Sequence, residues 1–171
     1  MAGWAADRLG RVPGLRLIDA RWLHVTLCFL GWREVGEVEG ITAACRAALA
    51  LEPLPLSLGE AVWLPPRRPR VVAVALLDAS GGLARLQTAV SAALAAGGFY
   101  EPEGRPYLGH VTLARVGRGV RVRAEPLPPP TPVSFDAEAV TLYQSRLERG
   151  GARYEALETM RLGHPRENDG Q

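Results

Sequence analysis

Two tetrapeptides in this chain are identical: His24-Val25-Thr26-Leu27 and His110-Val111-Thr112-Leu113. The chain holds three histidines, and at average residue frequencies the chance that two of them share their next three residues is about one in a thousand. The repeat is therefore read as chemistry rather than coincidence. On a strand, successive side chains alternate between faces, so each His and the Thr two residues on point the same way while Val and Leu point to the other. In the first copy Leu23, Val25, Leu27 and Phe29 are the predicted core face, with Trp22, His24, Thr26 and Cys28 opposite them. Two such strands side by side about a pseudo-twofold axis would gather two imidazoles and two hydroxyls.

That constellation fits a phosphodiester. Displacement at phosphorus needs a base for the attacking oxygen and, on the far side, an acid for the leaving oxygen. Imidazole titrates near neutral pH and takes either role. Threonine hydroxyls can donate to the non-bridging phosphate oxygens, where charge builds up. The alternative, metal ligation by His24 and His110, lacks an Asp, Glu or Cys in either motif to complete a coordination sphere.

The surrounding sequence must supply strands for both motifs and a core behind them. Residues 34–50 carry Val38, Ile41, Cys45 and Leu49 at steps of 3, 4 and 4, and residues 81–96 carry Leu83, Leu86, Val90 and Leu94 at the same steps. Each is one stripe of an amphipathic helix. Ser80 is the expected N-cap of the second, and Gly97-Gly98 its stop; two equivalent helices suggest duplicated halves. Strands are expected at Trp22–Leu30, Leu54–Trp63, Val71–Leu77, Tyr107–Val116, Val133–Tyr143 and Ala152–Leu157. The run Val71–Leu77 is apolar at every position, which marks a central strand covered on both faces. Prolines 65, 66 and 69, Gly104 with Pro106, and the stretch from Pro126 to Pro132 punctuate the chain as turns or a stiff crossing segment. With no glycine-rich phosphate loop in a βαβ unit, the pattern predicts an α+β fold with mostly antiparallel sheet.

At 171 residues, 47% of them hydrophobic, the chain suits one compact domain with a real core. A net charge of +2 excludes a bulk nucleic-acid binder that works through a large basic field. All 20 basic residues are arginine, which a GC-rich coding bias explains, so only the position of each Arg is informative. No apolar run approaches the ~20 residues of a spanning helix, and no basic-then-apolar leader opens the sequence. A cytoplasmic monomer without membrane contact is expected. Cys28 and Cys45 are too few for a disulfide framework or a cysteine-rich zinc site and read as ordinary buried thiols.

The paired H-x-T-x motifs, with Phe29-Leu30-Gly31 after the first and Ala114-Arg115 after the second, resemble those of the two-histidine phosphoesterase superfamily. Within it the chain is most similar to the LigT-like RNA 2′,3′-cyclic phosphodiesterases, historically called 2′-5′ RNA ligases. The likeness runs from about Leu15 to Leu162 and includes Leu142–Ser145 and a strand with Tyr154. The resemblance implies a single bilobal, pseudo-twofold α+β domain over residues 1–171, its sheets lining a central cleft and its helices packed outside. It makes His24 the proton donor, His110 the proton acceptor, and Thr26, Thr112 and Arg115 the phosphate-binding residues. The implied reaction opens a terminal 2′,3′-cyclic phosphate of RNA, or of a small cyclic nucleotide, to a 2′-phosphate without metal or other cofactor. Alternatives are a phosphodiesterase on another small cyclic phosphate or a 2′-5′ linkage, and a non-catalytic RNA- or nucleotide-binding module; a module that only binds has no need of both proton-transfer groups.

Two departures from the family stand out. Its members open with a strand of the type Arg-Leu-Phe-Val-Ala followed by a helix, whereas Trp4–Arg11 reads as that helix's end. The first strand is thus expected to be missing, leaving an unpaired sheet edge. The family's proline before the second His is Gly109 here, which loosens the backbone but removes no catalytic group. Arg115 lies five residues past His110 and has the wrong parity for the same face of a regular strand; it reaches the site if the strand bends. Arg67, Arg68 and Arg70 could touch an RNA backbone or form a solvated turn. Trp22, Trp63 and Tyr107 could stack a base or belong to the core. His164 sits in a polar tail, Gly163–Gln171, expected to be flexible and without function.

Overall fold

A computed structural model describes residues 1–49, 54–148 and 151–162; the expectations for the tail and His164 lie outside them. The elements run α1 (Ala2–Leu9), β1 (Leu15–Leu17), a 3-10 turn (Ala20–Trp22), a second 3-10 turn (Val35–Glu37), α2 (Val38–Ala48), β2 (Leu54–Leu64), β3 (Val71–Leu77), α3 (Gly82–Ala96), β4 (His110–Val116), β5 (Ser134–Ala137), β6 (Ala139–Glu148) and β7 (Gly151–Arg161). The fold is α+β. One sheet has the strand order β1-β4-β3-β2-β5, and a second is the hairpin β6-β7. Every pairing with a resolved register is antiparallel.

The chain divides into two compact units. The first comprises Met1–Thr26, Leu56–Asp78 and Leu108–Phe135. Its core joins α1 to the sheet: Leu9, Val72, Val74, Leu113 and Ala114 are all fully enclosed. β3 is the middle strand of five, as its unbroken Val/Ala/Leu run requires. Leu113→Ala should cost about 2–5 kcal/mol, the usual loss for emptying a Leu site that cannot collapse. Urea unfolding measures it, and a loss below about 1 kcal/mol would show that the core closes over the gap.

The second unit comprises the described residues of Leu27–Pro55, Ala79–Tyr107 and Asp136–Gln171. Here α2 packs on α3. The α3 stripe Leu83, Leu86, Val90 and Leu94 is buried throughout; on α2, Ile41 and Cys45 are buried and Val38 is half-covered, while Leu49, expected in the same stripe, lies just past the helix end in extended backbone. Gly40 lets the Phe99 ring come close, since a Cβ there would meet Phe99 Cζ at 2.8 Å. Ser80 acts one position earlier than expected: the N-cap is Gly81, in the left-handed conformation that glycine tolerates, and Ser80 Oγ accepts the Gly82 N–H at 3.1 Å. Burial pushes both cysteine thiols up, Cys28 to about 11, so they stay protonated. Among the described residues no helix is long and apolar enough to cross a membrane.

Two strand expectations change. The run Trp22–Leu30 makes a single bridge, Val25 to Val111. The 3-10 turn that precedes it, capped by Asp19, uses up Trp22, and Phe29 is 72% exposed rather than in the core. The run Val133–Tyr143 breaks at Glu138 into β5 and β6, which belong to different sheets. A periodicity of two does not register such a switch of partner.

Candidate active site

The His and Thr of both H-x-T-x motifs lie in the first unit, on adjacent backbone. The antiparallel bridge between Val25 and Val111 fixes their register: stepping one residue either way sets His24 across from Thr112 and Thr26 across from His110. Val25 and Val111 both turn to the core, so the four polar side chains share the other face. The two histidines are then diagonal neighbours, roughly 7–8 Å apart and somewhat closer at Cβ. A tetrahedral phosphate accepting a hydrogen bond from each ring fits that span.

The two imidazoles are held alike. His24 Nδ1 bonds the Trp22 carbonyl at 2.7 Å, and His110 Nδ1 bonds the Leu108 carbonyl at 2.8 Å. A carbonyl only accepts, so Nδ1 carries the proton in each ring and Nε2 holds the lone pair of the neutral form. Any proton exchange by these rings would therefore run through Nε2. The Trp22 carbonyl is itself anchored: Asp19 caps its turn, accepting the Arg21 N–H at 3.0 Å and the guanidinium at 2.7 and 3.1 Å. The Arg21 side-chain bond, and after it the backbone bond, hold the Asp19 carboxyl at about 2. The cap therefore stays ionised at any neutral or mildly acidic pH.

Arg115 reaches this face because of a β-bulge. β3 pairs Ala75 with His110 and Ala73 with Thr112, then skips Leu113 and pairs Val72 with Ala114 and Val71 with Arg115. The extra residue reverses the parity. Ala114 consequently joins Leu113 in the core, and Arg115 falls on the side of His110 and Thr112. Sequence reasoning missed Arg16. On β1 it lies directly across from Arg115, and among the described residues neither guanidinium is ion-paired. Like charges set opposite one another repel, a cost that a bound anion reverses. Nothing local distinguishes Arg16 in the sequence; only the β1–β4 register does.

Trp63 is a tether rather than a stacking platform: it packs on the core and its Nε1–H donates to the Glu125 carbonyl at 2.8 Å. Tyr107 belongs to the other unit and Trp22 to the 3-10 turn. Among the described residues, no three His, Cys, Asp or Glu side chains gather as a metal site.

The 2′-5′ RNA ligase superfamily model matches residues 3–149. The chain belongs to this superfamily. Among solved structures, Escherichia coli LigT bound to 3′-AMP is 26% identical with a TM-score of 0.76, over 95% of this chain and 88% of that one. A protein described as a phosphoesterase is likewise 26% identical, with a TM-score of 0.77 over 95% and 88%. A Thermus thermophilus protein, TT0787, at 24% identity and a TM-score of 0.76 over 95% and 90%, shares the fold. No curated protein matches the sequence significantly. As a LigT-like two-histidine phosphoesterase, the chain carries a phosphodiesterase-type activity.

Proposed function

We propose that this superfamily member hydrolyses the terminal 2′,3′-cyclic phosphate of RNA to a 2′-phosphate. The observation that carries the reading is the cross-strand quartet, with two imidazoles in one tautomer and a threonine across from each. The 3′-AMP bound to E. coli LigT supports a nucleotide end as the ligand. His110 Nε2 takes a proton from water as the water oxygen attacks phosphorus. His24 Nε2–H gives its proton to the 3′-oxygen as the P–O3′ bond breaks. Thr26, Thr112 and Arg115 hold the non-bridging oxygens, where negative charge accumulates. The products are a 3′-hydroxyl and a 2′-phosphate, and the two rings end with their proton states exchanged.

A nucleoside 2′,3′-cyclic phosphate incubated with the protein in EDTA tests this. Phosphorus NMR should show the 2′-phosphate at the rate seen without chelator, because acid, base and charge stabilisation all come from side chains. Activity that is lost on chelation and restored by added metal overturns the mechanism. A 3′-phosphate product overturns the direction of opening.

A further inference from the structure

Arg67, Arg68 and Arg70 lie in the turn between β2 and β3, and Arg121 lies in the segment after β4. Although distant in sequence, the four converge on one groove of about 740 Å3 that Gly119 and Val120 help to line. All four are exposed. The groove lining contains no carboxylate. Among the described residues none of these arginines has an acidic partner, whereas Arg21, Arg33, Arg46, Arg105, Arg146 and Arg153 each hold one within 4 Å. Four unpaired positive charges are thus gathered on one groove with no carboxylate among them.

The groove also has a fixed place relative to the histidines. The Arg70 N–H donates to the Leu64 carbonyl and its carbonyl accepts from Val116 N–H, both at 2.8 Å. This pins the arginine turn to the end of the β3–β4 pair where Val71 faces Arg115; His110 stands at the other end, facing Ala75. Six residue steps along β4 are about 20 Å. The unneutralised pair Arg16–Arg115 stands at the groove end. The first unit therefore adds two more cations beside the groove, at the end of β4 away from His110.

Resting on the reading of the quartet as a site for RNA cyclic ends, we propose that this groove binds the phosphate backbone of single-stranded RNA on the 5′ side of the reacting end. A 3′-terminal cyclic phosphate leaves the remainder of the strand only that direction in which to run. A stacked strand advances ~3.4 Å per phosphate, so the groove is reached roughly six nucleotides from the end, or fewer where the strand is extended. Guanidinium forks match phosphate oxygens, and a lining without aromatic residues reads no base. The preferred substrate is then an oligonucleotide of any sequence rather than a mononucleotide.

The test measures binding of a 12-nucleotide single-stranded RNA ending in a stable 3′-phosphate, and of a trinucleotide with the same end, by fluorescence anisotropy at several salt concentrations. In Arg68→Glu/Arg121→Glu the 12-mer should bind at least about tenfold more weakly, with a log–log salt slope flatter by about 1.4 for two lost contacts. The trinucleotide should be unaffected, as should turnover of a nucleoside cyclic phosphate. Arg121→Ala, a change to one exposed side chain, gives the same ordering with a smaller effect and serves if the double reversal does not fold. The proposal is overturned if the 12-mer binds the variants within twofold of the wild type, if the trinucleotide loses as much, or if a polyglutamate of matched charge competes as well as the RNA. Failure of the wild type to turn over any cyclic phosphate would instead count against the quartet's proposed chemistry, and leaves the length dependence of binding as a separate reading.

Discussion

Replacing His24 or His110 by alanine should each lower kcat/KM on a nucleoside 2′,3′-cyclic phosphate by roughly 10²–10⁴-fold, the usual worth of a positioned acid or base. Neither substitution should unfold the protein, because both rings lie on the face opposite the Val25–Val111 core contact. Circular dichroism and a thermal melt check the fold, and steady-state kinetics the rate. A mutant that melts far below the wild type, or keeps near-full activity, would assign that histidine to structure. The double mutant should be little worse than either single one, since groups that act as a unit are not additive. Thr26→Ala and Thr112→Ala should cost less, each removing one donor to a charge that other groups also hold. Catalysis needs one ring protonated and the other neutral, so kcat/KM should pass through a maximum with pH. A flat profile from pH 5 to 9, with chemistry rate-limiting, would contradict the acid–base pair.

The parts of this molecule that were legible in the sequence are those that local pattern controls. The α3 stripe from Leu83 to Leu94 reads correctly because a helix buries every third or fourth residue whatever it packs against. Val71–Leu77 reads as a central strand because an unbroken apolar run suits a strand with neighbours on both sides, and Val72–Val74 are buried although Leu77 at its end is 58% exposed. The repeat of His-Val-Thr-Leu stands out because it is improbable. What stayed hidden depends on register between distant segments. Leu113 looks like any alternating residue, yet the bulge there decides that Arg115 shares a face with His110. Arg16 acquires meaning only when β1 is laid against β4. The carbonyls that orient the imidazoles belong to Trp22 and Leu108, but any residue supplies a carbonyl, so no side-chain pattern could have marked them.

The largest difference between the two histidines should appear when the leaving atom is changed. The quartet is locally symmetric: each ring is held through Nδ1 by the carbonyl two residues before it, and each faces a threonine. Symmetry alone therefore assigns neither acid nor base, and the assignment of His24 as donor rests on the likeness to the family. With sulfur in place of the 3′-oxygen, the leaving group is a thiolate, which departs readily without a proton. His24→Ala should then recover most of the roughly 10²–10⁴-fold that the missing acid removed. His110→Ala should stay slow on the same substrate, because its attacking water still lacks a base whatever atom leaves. The comparison is made as a ratio of kcat/KM on the thio and oxygen substrates for each variant, so that binding changes common to both cancel. Rescue of His110→Ala with none of His24→Ala would exchange the two roles. Equal rescue of both would mean that proton donation to the leaving atom is shared, and that the two-histidine division of labour does not hold in this chain.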